Sequence, residues 1–174
     1  MQSKIMKNQF TISGGYQWNS KDAKLAIQKV SNDIINRFNG ENGKKLKYNI
    51  NYRRLRSSAG RPMLESITAK IKNSQVIIFD ITDKNPNVML ELGYALALSA
   101  QNDYLSIYLI CKKGDALPKN IPSDLHGYFI SEYNVIKEEV KFADSRSLRM
   151  SIEGDVKEYF NQLTENFNPI NEAD

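Results

Sequence analysis

The sequence predicts an α/β fold in which a five-stranded, mostly parallel sheet lies between two layers of helices. Two observations carry this. Residues 75–81 and 104–111 are continuous apolar runs, which suit strands buried on both faces rather than on one. Around them lie four stretches with apolar residues three and four apart, the spacing of helices that pack on a sheet. Strands alternating with helices imply parallel pairing and right-handed crossovers.

Residues 9–13 read as the first strand and end in Gly14-Gly15. Asn19 or Ser20 can cap a helix whose apolar face is Ala23, Ile27, Val30, Ile34 and Phe38, with Asn39-Gly40 stopping it. Residues 46–55 form a second strand, alternating at Tyr48, Ile50 and Tyr52. Pro62 marks a helix start, and Leu64, Ile67 and Ile71 share one face. The run 75–81 is the third strand, 87–100 an apolar helix, 104–111 the fourth strand and 127–130 a short fifth. Leu148, Ile152, Val156, Phe160 and Leu163 define a last amphipathic helix. No repeat, low-complexity tract or linker interrupts this pattern, so residues 1–174 read as one domain.

Composition narrows the class. The chain has 174 residues, 41% hydrophobic and 25% charged, which is ordinary for a soluble domain. A net charge of +4 suits a small anionic ligand and does not call for nucleic acid. No stretch is long enough to span a bilayer, and the N-terminus lacks the apolar core of a signal peptide. The single cysteine, Cys111, ends an apolar run; it reads as a core residue and agrees with a cytoplasmic setting. One histidine, His126, and no cysteine cluster give no basis for a metal site, and Ser57 and Ser58 have no nearby histidine to form a triad.

In a doubly wound sheet, ligands bind beyond the carboxyl ends of the strands. That places the loops 13–20, 53–61 and 80–87 in view. Within residues 88–100 Glu91 is the one charge, and the residues three and four away are Asn87, Val88, Tyr94 and Ala95. None is cationic, so a buried Glu91 either meets a distant partner or faces a cleft. Asp80, Thr82, Asp83, Asn85 and Asn87 are short polar residues that suit turns and a helix cap, and equally suit ribose hydroxyls. Gly14 and Gly15 are compatible with a tight turn or with close approach of backbone to a ligand, and Tyr16 and Trp18 can stack on a base or stay half-buried. Arg53, Arg54, Arg56 and Arg61 form either a solvated loop or a pyrophosphate contact. Arg61, just before a helix, is the best single candidate, although it can also pair with Glu65.

The segment Asp80-Ile-Thr-Asp-Lys-Asn-Pro-Asn-Val-Met-Leu-Glu91-Leu-Gly-Tyr-Ala resembles the active-site segment of two related groups. One is the nucleoside 2-deoxyribosyltransferases, the other the bacterial TIR-like domains of antiviral defence, many of which cleave NAD. The resemblance is specific over residues 58–100 and diffuse elsewhere. It implies a flavodoxin-like fold, an essential acidic residue at Glu91 and ligand contacts in the loop of Gly14, Gly15, Tyr16 and Trp18; Arg61, Asp80, Asp83, Asn85 and Asn87 join them as binding candidates on their own chemistry. It implies N-glycosidic cleavage of NAD or a related nucleotide as substrate, without a cofactor or metal. Transfer of deoxyribose to a second base is the alternative, and a nucleotide-sensing module without catalysis is another. With no sensor segment evident, control is expected from a homo-oligomer or a separately encoded partner protein.

Overall fold

A computed structural model describes residues 9–41, 49–56, 62–115 and 121–166. Strands β1 (Phe10–Gly15), β2 (Ile50–Arg54), β3 (Val76–Asp80), β4 (Ser106–Lys112), β5 (Ile130–Ile136) and β6 (Glu139–Phe142) form one sheet in the order β2-β1-β3-β4-β5-β6. The pairs β1–β2, β1–β3, β3–β4 and β4–β5 are parallel, and β5–β6 is antiparallel. Four helices accompany it among the described residues: α1 (Lys21–Glu41), α2 (Met63–Lys72), α3 (Pro86–Ser99) and α4 (Ser145–Asn166).

The sheet is buried on both faces because alternate residues of each central strand enter different cores. Val76 and Ile78 of β3 join Ile12, Ile27, Ile34, Ile152 and Val156 under α1 and α4. Ile77 and Phe79 join Ile67, Ile71, Val88, Leu92 and Leu109 under α2 and α3. This explains why residues 76–79 are apolar without alternation. The predicted helices fall where their apolar spacing put them. Ser20 begins α1 by accepting the Ala23 amide at 3.3 Å, while α1 itself runs past Asn39-Gly40 to Glu41. No helix of the described residues is long and apolar enough to cross a membrane.

Among the described residues the strand count is six rather than the five expected. The fifth strand is Ile130–Ile136 rather than 127–130, and it turns back into β6 through Lys137 and Glu138. Both turn residues have positive φ, 51° and 65°, the backbone that a tight two-residue hairpin requires. Glycine and asparagine are the usual signals for that turn, and neither is present.

Cys111 is buried in the core under α2 and α3, where desolvation pushes its thiol up to about 12.

The chain crosses from one side of β1 to the other between β2 and β3. The switch point therefore lies between β1 and β3, and the crevice beyond their carboxyl ends is where a ligand is expected.

Candidate functional site

A cavity of about 1000 Å³ opens at that point. Its described lining comes from the loop after β1 (Tyr16, Gln17, Trp18, Asn19), the end of β2 (Arg54, Leu55, Arg56), α2 (Ile67, Lys70) and the start of α3 (Asn85, Asn87, Val88, Glu91).

The start of α3 is built locally. Asn85 is its N-cap: the side-chain oxygen accepts the amides of Asn87 at 3.0 Å and Val88 at 3.4 Å. Pro86 follows at the first helical position, where its missing N–H costs nothing and its fixed φ suits the helix. Val88, Leu92 and Ala95 then turn inward, which leaves Asn87 and Glu91, one turn apart, on the cavity side.

Glu91 makes no ion pair or hydrogen bond with the described residues. Removal from water raises its pKa from 4.5 to about 7, and Arg54 offsets only part of that. A carboxylate in this state exchanges a proton near neutral pH, as acid–base groups in active sites do.

Arg54 organises the aromatic loop. Its Cζ lies 4.1 Å from the centre of the Tyr16 ring and 4.7 Å from that of Trp18. Its Nη2 donates to the Tyr16 carbonyl at 3.3 Å. Trp18 is nevertheless 74% exposed, so a broad aromatic surface stays open to a flat ligand.

The structure thus brings Tyr16, Trp18, Asn85, Asn87 and Glu91 together on one cavity. It sets other candidates elsewhere. Gly14 and Gly15 are buried residues of β1, and their lack of a side chain serves packing. A Cβ on Gly15 would stand 2.3 Å from the Phe79 ring, and one on Gly14 2.8 Å from the Tyr52 hydroxyl. Asp80 belongs to the α1/α4 face, where it accepts the Tyr133 hydroxyl at 2.5 Å and the Thr82 amide at 3.0 Å. Burial raises its pKa, and these bonds oppose the shift. Asp83 is exposed and is not among the lining residues. Arg61 lies outside the described residues.

The arginine cluster divides. Arg53 is used inside the fold, donating to Ser13 at 3.2 Å, to Ser74 at 3.3 Å and to the Lys70 carbonyl. Arg54 and Arg56 face the cavity with Lys70. Lys70 had no distinctive sequence signal, and nothing in the sequence set Arg54 apart from the other arginines of its cluster. The helical spacing of Ile67 and Ile71 could have placed Lys70 beside the apolar stripe of α2, but not over a cavity. The chain matches no family model, and no curated protein is similar enough in sequence to count as a relative.

Proposed function

We propose that this protein cleaves the N-glycosidic bond of NAD or a related nucleotide, on a flavodoxin-like scaffold, with Glu91 as the catalytic carboxylate. One observation carries the reading: Glu91 is a desolvated carboxylate without a partner among the described residues, on the wall of a cavity of nucleotide size. The resemblance of residues 80–95 to TIR-like domains points the same way and suggests a role in antiviral defence or signalling.

The chemistry fits the groups at hand. Cleavage breaks the bond between the ribose C1′ and the base nitrogen, and the electron pair leaves with the base. Positive charge then develops on C1′ and the ring oxygen, where the Glu91 carboxylate stabilises it, more strongly for being desolvated. Water adds to C1′ and its proton passes to Glu91. Nicotinamide leaves a cationic ring as a neutral base and needs no proton. Glu91 is the only carboxyl group among the described lining residues, and Asp80 is turned to the other face of the sheet. This favours NAD over a purine or pyrimidine nucleoside, whose leaving base requires a general acid. Trp18 offers a stacking surface for a base, and Asn87 offers an amide to the ribose hydroxyls. In this reading the protein works in the cytoplasm and is controlled by association with copies of itself or with a partner protein.

The test is incubation with NAD, deoxynucleosides and free bases at high protein concentration, followed by chromatography. Nicotinamide release that disappears in Glu91→Gln supports the reading. Base exchange selects the transferase, and binding without turnover selects a sensing module.

A further inference from the structure

Three cations, Arg54, Arg56 and Lys70, line the cavity, and among the described lining residues a single carboxylate, Glu91, answers them. No ion pair joins Arg54 or Arg56 to any described residue. The contacts that place Arg54 are neutral: it rests on two aromatic rings and a carbonyl. The Lys70 ammonium donates to the Arg56 carbonyl, which draws two like charges together. Burial first, then Arg56 and Arg53, lower the affinity of that ammonium for its proton. Gathering like charges opposes folding unless an anion completes the cluster. Arg53 shows the contrast, since its Nε and Nη2 donate to acceptors within the fold.

We propose that Arg56 and Lys70, with Arg54 held against the aromatic rings, form an anion subsite that selects a 5′-phosphorylated nucleoside over the nucleoside itself. This rests on reading the cavity as a nucleotide site. The 5′ carbon leaves the ribose across the ring from the base. A ligand with its anomeric carbon at Glu91 and its base on Trp18 therefore keeps its phosphate clear of the base and within the cavity that Arg54, Arg56 and Lys70 share. A neutral nucleoside leaves Arg54 and Arg56 without a counter-charge, whereas a phosphate supplies charge-assisted hydrogen bonds to this wall. The consequence is a substrate class: nucleotides rather than nucleosides.

The experiment is calorimetric titration of the full chain with adenosine, AMP and ADP at constant ionic strength. It uses Glu91→Gln as background, so that no bond breaks, and adds Arg56→Gln, Lys70→Gln or both. The expected result is that AMP binds about tenfold or more tighter than adenosine. Each added substitution should weaken AMP several-fold and leave adenosine unchanged, and the double substitution should remove most of the preference. ADP tighter than AMP assigns the subsite to a diphosphate, and equal affinity assigns it to a single phosphate. Equal binding of AMP and adenosine overturns the proposal, as does a preference that the double substitution leaves undiminished, or no binding of any of the three at millimolar concentration. Arg56 is exposed, so its replacement tests the subsite even if Lys70→Gln unfolds the chain. Selective AMP binding without nicotinamide release by the wild-type chain would keep the subsite and remove the cleavage reaction. Release without selectivity would do the reverse.

Discussion

The guanidinium of Arg54 stacks on the Tyr16 ring at 4.1 Å and donates to the carbonyl of the same residue at 3.3 Å. One side chain at the end of β2 thus fixes both the backbone and the ring of the loop after β1. The same charge acts on Glu91, lowering a pKa that burial raises. Arg54→Leu is expected to move the ionisation of Glu91 to higher pH and to loosen the loop. Trp18→Ala removes the second stacking contact while leaving the cation, so the ionisation should stay where it is. Carbon-detected NMR titration of the glutamate carboxyls in the two variants separates these effects.

In the proposed reaction the carboxylate form of Glu91 is the active one, and the pH dependence follows from it. With a pKa of about 7 in the free protein, kcat/KM for nicotinamide release should rise through about pH 7 and level off above it. A flat profile between pH 5 and 9 would show that Glu91 does not act as a carboxylate.

Stability should move in the opposite sense. The folded Glu91 holds its proton to about pH 7, against 4.5 for an ordinary side chain. The native state therefore binds more protons across that window, and its stability falls as pH rises through it. Glu91→Gln removes the penalty. The variant should be more stable than the wild type at pH 8, by on the order of 1 kcal/mol after allowance for solvent screening, or roughly 2–4 °C in Tm. The two should melt together at pH 4. A loss of stability at pH 8 would mean that the side chain is structural.

Gly15→Ala tests the packing use of the glycine pair. Its Cβ would meet the Phe79 ring at 2.3 Å, inside a sheet with little room to shift. Overpacking of this kind costs about 1–3 kcal/mol. Denaturant unfolding should show the loss, with ligand affinity preserved in the fraction that folds.

The β5–β6 turn offers a gain. Lys137 and Glu138 both hold positive φ without being glycine or asparagine. Lys137→Asn with Glu138→Gly should raise Tm by a few degrees, as relief of about 1 kcal/mol implies. An unchanged or lower Tm would show that the turn is not strained.

What could be read from the sequence, and what could not, has physical reasons. The place of Glu91 on a cavity wall was legible because a lone charge in an apolar helix has few explanations. The Asn85-Pro86 start of α3 was legible because capping is local chemistry. Gly14-Gly15 was ambiguous, since room for a ligand and room for the Phe79 ring make the same demand on a residue. Four arginines in nine residues looked alike; the geometry of the strand end separates Arg53, used inside, from Arg54 at the aromatic loop. The last hairpin was missed because its strands are partly exposed and polar, and its turn carries no glycine.

The Asp80–Tyr133 hydrogen bond has a further consequence. Asp80 ends β3, and its other oxygen holds the Thr82 amide, three residues before the cap of α3. Thr82 in turn accepts the backbone amide of Lys112 in β4. The helix that carries Glu91 is thus anchored by a brace on the reverse side of the sheet, out of reach of any ligand in the cavity. In the proposed reaction, accuracy at the reacting atom is inherited from residues that never touch it. Damage to Tyr133 would register as a misaimed carboxylate rather than as a lost contact.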